Sequence, residues 1–313
     1  MGNVTLPGEP RLVACETADG FELHGLWIDA ANSGQAGAAR DAAIVLPGVG
    51  GNFYASRLCH RIAGHLYARG HSVLLANTRG HDIVALLSGS GGTAWGGAAF
   101  EIVAECAADI EAWQRHAAQA GCRAVLLVGH SLGAIKVLYA ASRAAEGGHA
   151  NGRLRAVIAV SPPRLNHRRI AQSAEADVFL QSYHEAVLRE QQGRAEEPFF
   201  VHWPFRTLMT PRTFLDKYGP ASRYDFLRWL PRLTVPALLT YGSREIAEGG
   251  AAFAGIDEAI AARRPGTHVT LRVVDGADHF YRGFEPALFD AISGWLDVLP
   301  PAGTFANTGE PLH

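Results

Sequence analysis

Gly129-His130-Ser131-Leu132-Gly133 follows directly on the apolar run Ala124-Val125-Leu126-Leu127-Val128 and precedes a helix-forming stretch, Ala134 to Arg143. Strand, G-x-S-x-G turn and helix in that order constrain the chain tightly. The serine at the bend is held in a strained backbone conformation, and the flanking chain packs too closely for bulky side chains. Such a turn lifts the Ser131 hydroxyl above the sheet edge, where the N–H of Leu132 and the helix dipole favour a developing negative charge. In a chain with 35 glycines a bare G-x-S-x-G arises by chance. The strand before it and the helix after it make Ser131 the candidate nucleophile.

The 313 residues suit one α/β domain carrying an insertion, and 48% hydrophobic content provides for a large core. A formal charge of −2 gives no basic footprint for nucleic acid and no polybasic surface for membranes. No apolar stretch approaches the roughly 20 residues that span a bilayer, so no membrane insertion is expected. Met1 to Arg11 carries no apolar signal core, which predicts a cytoplasmic location. Cys15, Cys59, Cys106 and Cys122 form no C-x-x-C pair and read as reduced, mostly buried thiols. The 14 histidines include no H-E-x-x-H spacing, and His60 and His65 lie five apart, so neither a metal nor a cofactor is expected. A homodimer is compatible with these numbers.

Strand and helix signals alternate. Arg11 to Glu16 and Phe21 to Asp29 read as a hairpin, Ala30 to Arg40 as a surface linker, and Ala42 to Leu46 as a buried strand. A helix over 55–69, a strand over 71–77, a Gly-rich loop over 88–97 and a long helix over 98–120 lead to the Ser131 turn. Strands over 154–160, 237–241 and 269–274 and a helix over 286–296 follow. The expectation is an α/β fold with a mostly parallel, doubly wound sheet covered on both faces. Between its halves, about 166–230 is polar, aromatic and helical with no convincing strand. The expected organisation is core 1–165, helical cap 166–230, core 231–299 and a loose tail 300–313.

A serine nucleophile needs a base and an orienting acid, in the chain order Ser, acid, His. His279 lies just past the last strand, in Val274-Asp275-Gly276-Ala277-Asp278-His279, near the sheet's carboxyl edge where ligands gather. His130 is read as a packing or supporting residue. Glu245, in Gly242-Ser243-Arg244-Glu245, stands at a strand end where an acid can orient His279. Glu248, Asp275 and Asp278 compete for that role, and the structural alternative for Glu245 is an ion pair with Arg244 or a cap on the next helix. The oxyanion donors are expected to be the N–H groups of Leu132 and of Val49, in the loop Pro47-Gly48-Val49-Gly50-Gly51. Asn52, Phe53 and Tyr54 begin the next helix and are candidates for the cavity entrance.

With these pieces the chain resembles the α/β-hydrolase superfamily over about Glu16 to Leu299. The resemblance rests on Leu46-Pro47-Gly48-Val49-Gly50-Gly51, Asn77-Thr78-Arg79-Gly80-His81, the Ser131 turn, Gly242-x-x-Glu245 and Gly276-Ala277-Asp278-His279. It implies a carboxylic ester hydrolase working through an acyl-enzyme. Thioesterase, amidase and C–C hydrolase chemistry use the same triad, and some members of the superfamily are non-catalytic binding proteins. Members mostly carry Asp at the acid position, so Glu245 is a departure.

Gly89-Ser90-Gly91-Gly92-Thr93-Ala94 fits G-x-G-x-x-A, but a long helix is expected where a dinucleotide site needs an acid-ended strand. These glycines read as a flexible loop beside the pocket, with Trp95 either shaping the pocket or anchoring the loop. Acids of 101–116, including Asp109, read as a solvated face. The cap is rich in rings, Trp203 and Phe205 among them, which suggests an apolar or aromatic acyl or alcohol group. Most of those rings are expected to be the cap's own core. Arg206, Arg212, Lys217 and Arg223 either bind a substrate carboxylate or solvate the cap.

Overall fold

The computed structural model describes residues 6–30, 41–146, 153–262 and 268–299. The expected linker over 31–40 and tail over 300–313 lie outside the described residues. Eight strands form one sheet: β1 (Arg11–Glu16), β2 (Glu22–Ile28), β3 (Asp41–Leu46), β4 (Ser72–Ala76), β7 (Ala124–His130), β8 (Leu154–Val160), β11 (Ala237–Gly242) and β12 (Val269–Val274). Their spatial order is β1-β2-β4-β3-β7-β8-β11-β12. β1 and β2 pair antiparallel, as does β2 with β4; every later neighbour pairs parallel.

The central strands are buried on both faces and are therefore apolar along most of their length rather than alternating, with Asp41 at the start of β3 paired to Arg155 of β8. Ala42, Ile44 and Leu46 of β3 point to one core with Leu127 and Ala159; Ala43 and Val45 point to the other with Val128 and Ile158. The first core packs beneath α2 (Cys106–Gln119) and α3 (Leu132–Glu146). The second packs beneath α1 (Arg57–Ala68) and α9 (Glu285–Asp297). Between β11 and β12 lie α7 (Ser243–Glu248) and α8 (Ile256–Ala262).

Four expectations change. The Gly-rich segment 88–97 is not a loop: β5 (Ala85–Gly89) and β6 (Gly92–Gly96) form an antiparallel hairpin, with Leu86 opposite Trp95. Gly89 and Gly92 take φ of 158° and 103° around Ser90-Gly91, so the glycines serve the turn. Helix α2 begins at Cys106, after a single 3-10 turn over Val103–Glu105, rather than at Ala98.

The segment between β8 and β11 also holds strand. It contains α4 (His167–Ile170), α5 (Ala176–Gln191), α6 (Pro211–Tyr218) and a short hairpin of β9 (Phe199–Val201) with β10 (Thr207–Met209). Phe179, Trp203, Tyr218 and Phe214 form a ring of contacts, mostly edge to face, with centroids 5.1–6.1 Å apart. Most cap rings thus bury one another.

Two of the acids expected on a solvated face are buried instead, whereas Glu105 and Glu111 are exposed as expected. Asp109 is fully buried, and both the Nε and the backbone N–H of Arg79 donate to it at 2.9 Å. Glu101 is also buried and lies between two lysines, Lys136 of α3 and Lys217 of α6, the latter at 3.1 Å. A helical stripe does not reveal such acids, because an ion pair reached through the tertiary fold replaces water as the partner.

Candidate active site

Ser131 takes φ of +57°, outside the range most side chains adopt, at the junction of β7 and α3. Its N–H donates to Val160 O at 2.9 Å and its carbonyl accepts from Ala134 N, so sheet and helix together hold the bend. The flanking glycines are required by space. A Cβ on Gly129 would lie 2.2 Å from Gly133 O, and one on Gly133 would lie 2.4 Å from Pro47 O. A Cβ on Gly48 would lie 2.9 Å from Ser131 Cβ, so the loop after β3 runs directly against the serine.

His279 follows β12 and α7 carries Glu245, and the parallel pairing of β11 with β12 brings the two loops together. His279 Nδ1 donates to Glu245 Oε1 at 2.5 Å. Glu245 is buried, and its Oε2 accepts from Ser161 Oγ at 2.6 Å and from Gly242 N at 3.2 Å. The competing acids are engaged elsewhere. Glu248 pairs with Arg244, Asp275 accepts from Ser243 Oγ at 3.0 Å, and Asp278 accepts the backbone N–H groups of Phe280 and Arg282.

His130 is buried beside His279, with ring centroids 4.7 Å apart, and its Nε2 donates to the His279 carbonyl at 2.9 Å. Burial above all, then the neighbouring His279, pushes its pKa down to about 3, so the ring is neutral and acts as a fixed donor.

Ser131, His130, His279, Val49 and Leu132 all line one cavity of about 470 Å³, walled by Leu58, Leu165, Trp203, Phe205, Phe253 and Phe280 among others. Among the described residues, the N–H groups of Val49 and Leu132 have no acceptor. Ser131 Oγ likewise makes no hydrogen bond there, His279 included. Contacts of this kind commonly tighten only with substrate in place.

Four of the sequence-predicted cavity residues lie elsewhere. Asn52 is buried and donates to Asp82 Oδ1 at 2.6 Å, Phe53 N donates to Asn77 Oδ1 at 2.9 Å, and Tyr54 donates to Asp82 Oδ2. They precede α1 instead of opening it, and they anchor the loop after β3 to the chain after β4. Trp95 stands on β6, 63% exposed and stacked on Phe100. The cap cations also turn away: Lys217 pairs with Glu101, Arg212 with Glu196 and Arg223 with Asp216, while Arg206 lies over the Phe200 ring.

Sequence reasoning missed Ser161 and Asp82. Both have positive φ, +53° and +58°, a property that neither residue type announces. Among the described residues no group of three or more His, Cys, Asp or Glu side chains converges as for a metal ion. No helix among them is long and apolar enough to cross a membrane.

The profile of the Alpha/beta hydrolase family matches residues 23–301. The chain belongs to that family. No curated protein matches its sequence significantly. Solved structures with the same fold include the esterase Pf2001 of Pyrococcus furiosus, at 18% identity and TM-score 0.59, covering 95% of each chain. Est1E of Butyrivibrio proteoclasticus, with ferulic acid bound, has 16% identity and TM-score 0.61 over 91% of this chain and 98% of its own. The α/β hydrolase GrgF of a Penicillium species has 16% identity and TM-score 0.64 over 93% and 98%. The chain is therefore an α/β hydrolase in fold across nearly its whole described length.

Proposed function

We propose that this α/β hydrolase cleaves a small carboxylic ester, bearing an apolar or aromatic group, through an acyl-enzyme on Ser131. The observation that carries this reading is the hydrogen bond from His279 to the buried Glu245, beside the cavity that the strained Ser131 also faces. His279 takes the serine proton as Oγ attacks the ester carbonyl, and Glu245 holds the ring in the tautomer that leaves Nε2 free to accept. The N–H groups of Val49 and Leu132 receive the oxyanion. Collapse of the tetrahedral intermediate expels the alcohol, which takes the proton from His279. A water then attacks the acyl-enzyme, with His279 as its base, and releases the acid.

The apolar walls support a hydrocarbon or aromatic moiety, since burying it there removes its surface from water. One of the structural relatives, Pf2001, is an esterase by name, and another, Est1E, holds the aromatic acid ferulic acid, in keeping with ester hydrolysis on this fold. The test is intact-mass analysis after fluorophosphonate treatment. A single adduct is expected on the native protein, absent in Ser131→Ala and slowed in His279→Ala, with ester hydrolysis lost in parallel. Folded native protein that takes up no reagent and cleaves no ester in a panel of ester and thioester substrates would overturn the reading.

A further inference from the structure

One charged side chain in the cavity wall is left unused by this chemistry. Glu175, immediately before α5, lines the cavity together with Leu165, Trp203, Tyr218 and Phe253. Its Oε2 accepts the N–H of Ala251 at 2.9 Å. Gly250, at φ +67°, packs so closely that a Cβ there would lie 2.7 Å from Oε1. The carboxylate is thus held in place by the turn that follows α7. Oε1 has no donor among the described residues, and no lysine, arginine or histidine there pairs with the group. Nor does any of Arg206, Arg212, Lys217 and Arg223 line the cavity.

An anion at the edge of an apolar cavity, with a free oxygen and no ion pair (Arg169 donates to the carbonyls of Ala251 and Ala254 instead), loses hydration when a neutral group fills the space beside it. A carboxylate-bearing ligand would be repelled there. A cation regains what is lost twice over. It pairs with Oε1, and it lies against the negative faces of aromatic rings, which Trp203, Phe205, Phe253 and Phe280 supply in the same walls. Resting on the esterase reading, we infer that the substrate carries an ammonium group, and that Glu175 selects it.

The test uses the intact protein and two pairs of esters matched in shape, each pairing a trimethylammonium group with the isosteric tert-butyl group. One pair places the group on the alcohol side, as in choline acetate against dimethylbutyl acetate. The other places it on the acyl side of a phenyl ester. The expected result is a kcat/KM about tenfold higher for the ammonium member of at least one pair. In Glu175→Gln that ratio should fall towards one, and added salt should lower it in the native protein. Fluorophosphonate labelling of Ser131 is run alongside. Labelling with ratios of one or less in both pairs overturns this inference alone, as does a high ratio that survives in Glu175→Gln. Failure of the label, with no ester cleaved, overturns the esterase reading and this inference with it. If Glu175→Gln does not fold, the same comparison is read in Glu175→Met, where a ratio as high as the native one overturns the inference.

Discussion

Ser161 Oγ donates to Glu245 Oε2 at 2.6 Å, on the side of the carboxylate away from His279. Glu245 is thereby bonded at both oxygens and cannot rotate without breaking a charge-assisted contact. Ser161 sits at φ +53° directly after β8, and Tyr281 Oη lies 3.3 Å from its hydroxyl. Removing a hydrogen bond to a charged group costs about 1.5–3 kcal/mol. Ser161→Ala is therefore expected to lower kcat roughly tenfold or more, with a smaller change in KM, in steady-state ester hydrolysis. A kcat equal to that of the native protein would show that Ser161 does not position the acid.

Glu245→Gln keeps the shape of the side chain and its contact with Ser161 but removes the charge that stabilises an imidazolium. In a serine triad, replacing the acid by its amide lowers kcat by about 10⁴. The same order is expected here, with an unchanged thermal midpoint. Glu248→Gln and Asp278→Asn should retain activity, because those carboxylates are bound to Arg244 and to local backbone N–H groups. Loss of activity in either, with Glu245→Gln active, would move the acid role to that residue.

The glycines of the elbow predict an effect on stability. A Cβ on Gly133 would lie 2.4 Å from Pro47 O and 2.5 Å from Leu46 O, both of them backbone atoms that no side-chain rotation can move. Overpacking a rigid site commonly costs about 1–3 kcal/mol. Gly133→Ala should lie at or above the top of that range in urea unfolding, whereas Gly193→Ala, with open space around it, should be limited by its φ of +75°. Equal and small losses would contradict the packing argument.

What the sequence made legible was whatever chemistry restricts to few residue types. Ser131, Glu245 and His279 stand in a fixed chain order beside strand ends, and the fold brings the last two into contact. The sheet was legible for a related reason: strands buried on both faces must be apolar, as β3, β7 and β8 are. Partners fixed only by the tertiary fold stayed hidden. Asp109 and Glu101 look like solvent-facing acids until Arg79, Lys136 and Lys217 arrive from other elements. Trp95 was placed in the pocket because its glycine-rich surroundings read as a loop, whereas Leu86 faces it across a hairpin.

The Glu101 cluster distinguishes two substitutions. Removing the acid leaves Lys136 and Lys217 buried with like charges and no anion between them. Removing Lys217 leaves Glu101 still paired with Lys136, which also donates to Thr78 Oγ1 at 2.8 Å. Breaking a buried pair costs about 3–5 kcal/mol when a charge is left uncompensated. Glu101→Gln should reach that range, and Lys217→Met should cost clearly less, in urea unfolding followed by circular dichroism. Similar losses in the two variants would mean that the three groups do not act as one cluster.

Stability should also fall early on acidification. Burial lowers the pKa of His130 to about 3 and that of His71 to about 4, against an ordinary 6.5. A depressed histidine means that, below about pH 6.5, the unfolded chain binds a proton that the native state refuses. The stability is therefore present above 6.5 and is lost as the pH drops, until each native value is passed. The slope is up to about 1.4 kcal/mol per pH unit for each group. Glu101, held down to about 2 by Lys136 and Lys217 despite its burial, adds a loss of the same sign between its ordinary 4.5 and 2. Urea unfolding at pH 7, 6 and 5 should therefore show a steady decline well above the carboxylate range. His71→Gln removes one titrating group and should flatten part of that decline. A native protein equally stable at pH 7 and pH 5 would contradict both histidine assignments.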